Sequence, residues 1–91
     1  MTKTETNDKL TFQYLKVMEE ISPYYPEGFF GWLSKNHKDL DRKLEGYEKK
    51  ILEIWDKCLN GKGRLIDFIK ALNEYKAEMG ILFRLHRNQN K

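Results

Sequence analysis

The sequence predicts an all-α protein, a small helical bundle built on one long antiparallel helical hairpin. Apolar residues recur every three or four positions from Leu40 to Cys58 and again from Leu65 to His86, which keeps them on one face of each helix. Between them lies Asn60–Gly63, where two glycines can end a helix and reverse the chain. We therefore predict hairpin helices over about 37–59 and 64–87.

A shorter amphipathic pattern precedes the hairpin. From Leu10 to Ile21 apolar residues again repeat every three or four positions, as on a half-buried helix. Asn7 or Asp8 can cap its start, and Pro23 ends it because the residue before a proline disfavours the helical conformation. These signals predict a first helix over about 8–21.

The stretch between that helix and the hairpin is rich in aromatic residues. Pro26 suits the first position of a short helix, so we predict a helix over about 26–34 that packs on the open end of the hairpin. Aromatic residues there either complete the core or line a small-molecule pocket, and both readings stay open. The set comprises Tyr24, Tyr25, Phe29, Phe30 and Trp32.

Apolar residues also flank the seven-residue row on both hairpin helices, so the first helix must pack there as a third layer. A helix of about 14 residues is only about 21 Å long, against about 34 Å for each hairpin helix. We therefore expect the turn end of the hairpin to be left uncovered. An uncovered apolar patch is typical of an association site. The candidate protein interface consists of Trp55, Leu59, Leu65 and Ile66.

The composition suits one small domain over residues 1–91, with frayed ends at 1–6 and 88–91. Hydrophobic residues make up 40% of the chain and charged residues 34%, and no run approaches the ~20 apolar residues that span a bilayer. The lone Cys58 excludes an internal disulfide and a paired-cysteine metal site. We expect a cytoplasmic protein without membrane contact.

No residue pattern points to catalysis, a cofactor or a metal. The segment from Asp56 to Asp67 partly matches a calcium-binding loop, but Cys58 replaces an oxygen ligand and Lys57 and Lys62 add positive charge. No cysteine–histidine pair lies close in sequence, and no glycine-rich loop can cradle a phosphate. The sequence therefore predicts a non-enzymatic protein with no catalytic residue, cofactor or bound metal.

The charge distribution supplies an alternative function. Residues 61–91 carry seven basic and three acidic residues, a net charge of +4, which favours a weak accessory contact with nucleic acid. The preferred prediction is a protein-interaction module that binds a protein partner or itself, as a homodimer. The alternative is an accessory nucleic-acid binder that uses the last helix, with contacts from Lys62, Arg64, Arg84 and Arg87.

Overall fold

The computed structural model describes residues 2–89, which form four α-helices and contain no β-strand. Helices α3 and α4 form the hairpin, and α1 packs against both of them. The predicted all-α bundle is confirmed. The helices are α1 (Lys3–Ile21), α2 (Phe29–Asn36), α3 (Lys38–Leu59) and α4 (Leu65–Gln89), with a single 3-10 turn at Ser22–Tyr24.

Ion pairs on the outside of the bundle show how the helices run. The Lys50 ammonium lies 3.1 Å from the Glu74 carboxylate, and Lys43 lies 3.7 Å from Glu78, so α3 and α4 are antiparallel. Lys76 of α4 pairs with Glu20 near the end of α1. The pairs with partly exposed partners, Lys50–Glu74 and Lys76–Glu20, contribute about 1 kcal/mol or less each, so they orient helices that packing holds together.

Helix α4 lies at the centre of the bundle. It contributes eight buried residues, whereas α1 and α3 contribute three each. Every member of its seven-residue row from Phe68 to Leu82 is buried, which confirms the predicted seam over that length. Leu65, at the start of the row, is 38% exposed. The buried residues of α4 are Phe68, Ala71, Leu72, Tyr75, Glu78, Met79, Leu82 and Phe83.

Helix α1 begins five residues earlier than predicted. The Thr2 hydroxyl accepts a hydrogen bond from the Glu5 amide at 3.1 Å, so Thr2 caps the helix and the predicted cap at Asn7 or Asp8 is wrong. Residues 3–6 are helical rather than frayed. With 19 residues, α1 is about 28 Å long and reaches far along the hairpin.

The other end of the chain is also more helical than predicted. Asn88 and Gln89 continue α4, and the Gln89 side-chain oxygen lies 3.0 Å from Nε2 of His37. That hydrogen bond joins the last turn of α4 to the residue that precedes α3. Met1, Asn90 and Lys91, which were also predicted to fray, lie outside the described residues.

The predicted bounds of the short aromatic helix are wrong at both ends. Gly28 adopts a left-handed conformation with φ 71°, so α2 starts after it rather than at Pro26. At the other end, α2 continues two residues past the predicted end to Asn36, whose side-chain amide donates to the Trp32 carbonyl at 3.0 Å. His37 alone separates the two helices.

The hairpin turn has the glycine-dependent geometry that the sequence predicts. Gly61 adopts φ 73°, its amide donates to the Cys58 carbonyl at 3.2 Å, and the Lys62 amide donates to the Lys57 carbonyl at 2.8 Å. This pair of bonds is the Schellman motif that ends helices. Gly63 lies so close to α3 that a Cβ there would sit 3.0 Å from the backbone nitrogen of Cys58.

Substitution of Gly61 by alanine should lower the free energy of unfolding by about 1–2 kcal/mol, because a side chain disfavours the left-handed conformation. Gly46→Ala is the matched control. Gly46 lies inside α3 with open space around it, so alanine should raise stability there by up to about 1 kcal/mol. Urea unfolding followed by circular dichroism measures both changes. Equal effects of the two substitutions would contradict the assigned turn.

Candidate interaction surfaces

The turn end of the hairpin is not left open by α1. The Trp55 indole nitrogen donates to the Asn7 side-chain oxygen at 2.9 Å, and the Trp55 ring lies 5.8 Å from Tyr14 and 5.5 Å from Phe68. The expectation that α1 stops short of this region is therefore wrong. Both partners of Trp55 belong to the predicted cap and helix, so the error lies in where α1 was placed along the hairpin: Glu20, near its end, is level with Lys76 rather than with the last turn of α4.

The predicted interface residues at the turn end consequently differ in exposure. Trp55 and Leu59 are half-buried against the core, whereas Leu65 is 38% exposed and Ile66 is 67% exposed. Leu65 and Ile66 are neighbours on α4, so their side chains point in directions about 100° apart. Ile66 belongs to a surface that continues along α4 away from the turn.

That surface is the side of α4 that faces away from the bundle, and we call it the outer face of α4. Lys76, which pairs with α1, bounds it on one side, and Glu74, which pairs with α3, bounds it on the other. Ile66 and Ile81 are 67% and 50% exposed, and the short side chains of Asn73 and Ala77 lie between them. The outer face consists of Ile66, Ile69, Lys70, Asn73, Ala77 and Ile81.

Sequence reasoning missed the outer face as a unit. Only Ile66 of its residues belongs to the interface predicted from sequence, and that interface groups it with residues at the hairpin turn. The signal was present, since Ile66, Ile69, Asn73 and Ala77 follow one another at spacings of three, four and four, nearly opposite the buried row.

A second apolar surface lies between α1 and α3. Leu52 is 63% exposed there, and Leu15 of α1 is also exposed. Leu52 is one wall of a groove of about 250 Å³, together with Tyr14, Met18 and the carboxylate-bearing Glu48. This surface is shared by two helices, whereas the outer face of α4 belongs to one helix.

The aromatic residues at the open end have separate roles. Phe29 is 2% exposed, and its ring lies 5.0 Å from that of Phe83, so it belongs to the core. Trp32 is half-buried and meets the His86 ring edge-on at 4.7 Å. Tyr25 is half-buried too and lies 5.1 Å from Phe83, whereas Tyr24 and Phe30 are exposed.

A groove of about 610 Å³ runs beside these aromatic residues, between the end of α1 and α4. Its apolar part is formed by Ile21, Tyr24 and Phe83, and its rim carries Arg84 and Arg87. In the ion pairs formed within residues 2–89, neither arginine takes part. The groove places both aromatic and basic predicted site residues at one end of the molecule.

The basic residues proposed for nucleic acid do not form one surface. Lys62 and Arg64 lie at the hairpin turn, about 30 Å along α4 from Arg84. The Arg64 guanidinium also pairs with Asp67 at 3.3 Å. Two separated clusters would have to contact one nucleic acid together, and this alternative function stays an untested prediction.

Buried titratable groups lie in the core rather than at a reactive site. Burial raises the pKa of the Tyr75 hydroxyl above its ordinary value, and the neighbouring Tyr25 raises it further. The same hydroxyl donates to a Glu48 carboxylate oxygen at 3.5 Å. Burial also raises the pKa of the Cys58 thiol, which makes its reactive thiolate form scarce.

The described part of the chain shows no cluster of three or more side chains that could hold a metal ion. Over the same residues, no helix has both the length and the apolar character needed to cross a bilayer. Comparison of the chain with protein-family models, with curated proteins and with solved structures gives no match. The placement and chemistry of its own side chains are therefore the basis for a functional proposal.

The buried tyrosine makes stability sensitive to alkaline pH. Because the folded-state pKa of Tyr75 lies above its unfolded value near 10, stability should be complete below about pH 10 and fall as pH rises further. One such group contributes a slope of up to about 1.4 kcal/mol per pH unit. Urea unfolding between about pH 8 and pH 12 measures the slope.

Tyr75→Phe should reduce that slope, and Tyr24→Phe, at an exposed tyrosine, is the matched control. Lysine residues also titrate in this range, so the contribution of Tyr75 is measured by the difference in slope between the two variants. An unchanged slope in Tyr75→Phe would contradict the assigned environment of this hydroxyl.

Proposed function

We propose that this chain is a non-enzymatic protein-interaction module that binds through the outer face of α4. One observation supports this above the others. Ile66 and Ile81 are large apolar side chains, at least half exposed, on the same side of one helix. Asn73 and Ala77 near the middle of the face are short, so a partner can come close there.

Burial and shape both favour a helix as the element of the partner that binds here. Full burial of an isoleucine is worth about 1.5–3 kcal/mol, and this face carries three, of which Ile69 is already half-buried. Packed helices lie about 8–10 Å apart, and short central side chains permit the close end of that range. A helix of the partner is thus the element that fits this surface.

Charged residues at the edges of the outer face can set the orientation of the partner. Lys70 lies on the outer face and Glu74 at its border, one turn apart. Charged groups at the rim of an interface chiefly select the partner and its register, while the apolar centre supplies most of the affinity.

Position-specific photo-cross-linking tests the proposal. A photo-reactive phenylalanine analogue in place of Ile66, Asn73 or Ile81 should give discrete adducts in the cells from which the protein comes. The same analogue in place of Glu45, an exposed residue on α3, is the control and should give none.

The adduct from position 73 should disappear when Ile66→Lys and Ile81→Lys are introduced together, because two charges would then have to be buried. Adducts that form equally from Glu45 and from the α4 positions would contradict the proposal. So would an adduct at position 73 that survives both lysine substitutions.

A further inference from the structure

We infer that the partner on the outer face of α4 is a second copy of this chain, with the two α4 helices packed antiparallel about a twofold axis. This inference rests on the proposed function and adds the identity of the partner and the register of the contact. In a twofold interface each surface must complement itself, so that if residue i meets residue j, residue j also meets residue i.

The outer face meets that condition in one register. With the twofold axis between Asn73 and Glu74, Ile66 of each copy lies level with Ile81 of the other. The two isoleucine contacts then lie about 11 Å on either side of the axis, since a helix rises about 1.5 Å per residue. Both strongly exposed apolar residues of the face are buried at once.

The charges agree with the same register. Antiparallel helices related by a twofold axis bring the same edges of the two faces together. Lys70 of one copy therefore lies level with Ala77 of the other, about 4.5 Å along the axis from Glu74 of that copy. A lysine side chain spans this offset, so the pair forms twice per dimer, beside the exposed Lys50–Glu74 contact within each copy.

On the opposite edge of the outer face, a side chain of one copy also fits a space in the other copy. Ile69 of one copy lies level with the gap between Lys76 and Gly80 of the other. A Cβ added at Gly80 would meet no atom within 4 Å, so there is room for an isoleucine side chain. This is the knob-into-hole packing that two helices adopt along a seam.

Other registers lose these contacts. A displacement of one helical turn towards the hairpin turn places Ile81 level with the charged Lys62 of the other copy. A displacement of two turns the other way places Lys70 opposite Arg84, so that like charges meet. Of these three registers, the one centred between Asn73 and Glu74 is the one that pairs Ile66 with Ile81 and brings Lys70 near Glu74.

The size of the contact predicts its strength. The face is about 22 Å long and about 10 Å wide, which is below the area of a standard, stable protein–protein interface. The dimer should therefore be reversible, with a dissociation constant in the micromolar range or weaker. Its population depends on protein concentration.

Disulfide cross-linking tests the register on the full chain, in a Cys58→Ala background that removes the native thiol. Asn73→Cys should cross-link to itself, because the two copies of residue 73 lie beside the axis. Ile66→Cys and Ile81→Cys should each fail alone, since their copies are about 22 Å apart along the helix, and should cross-link when mixed. Leu52→Cys, as exposed as Ile66 but on α3, is the matched control and should give no product.

All four positions are exposed, so far-ultraviolet circular dichroism should report an unchanged helix content for each variant. Cross-linking of Ile66→Cys or Ile81→Cys alone, at the yield of the mixture, would overturn the antiparallel register. Light scattering decides the partner. At about 1 mM protein, even an association near −4 kcal/mol places half of the chains in dimers. A mass that stays monomeric up to that concentration overturns the inference that the partner is a second copy.

The two failures are distinguishable. If the protein stays monomeric while photo-cross-linking still gives discrete adducts from Ile66 and Ile81, the self-association is wrong and the interaction surface stands. If neither experiment gives a position-specific product, both the inference and the proposed function are overturned.

Discussion

Helix α4 is buried along one side against α1 and α3 together, and the rest of the bundle depends on that contact. Its row from Phe68 to Leu82 is shielded from water over its whole length, and Phe83 extends it under the ring of Phe29. Because α1 and α3 both pack against α4, the two flanking helices need only limited contact with each other. The same arrangement turns the opposite side of α4 outwards, where Ile66 and Ile81 are at least half exposed.

The hairpin could be predicted from sequence because its signals are local and repeat. The apolar row of each helix can be recognised from the helical period alone. The left-handed conformation of Gly61 can be predicted from its place directly after Asn60. The start of α1 could not be predicted this way. Its first turns, from Lys3 to Lys9, are polar, and the features that hold them are the Thr2 cap and the distant hydrogen bond between Asn7 and Trp55.

The position of α1 along the hairpin also affected the candidate site. Trp55 was expected beyond the reach of α1, yet Asn7 and Tyr14 both contact it, and Leu59 is half-buried against the core. Ile66 was identified correctly as an exposed apolar residue, but its companions lie farther along α4 instead of at the turn. The start of α2 also could not be predicted from sequence. Pro26 carries the helix-start signal, but Gly28 adopts a left-handed conformation and α2 begins after it.

The proposed dimer forms through the outer face of α4, and a dilution series followed by amide nuclear magnetic resonance tests this most directly. As concentration falls, the amide signals of Ile66, Ile69, Asn73 and Ile81 should shift together along one binding curve. Those of Leu15 and Leu52, which are exposed on the other apolar surface, should stay fixed. Shifts confined to the surface between α1 and α3, or no shift at any residue, would contradict the account.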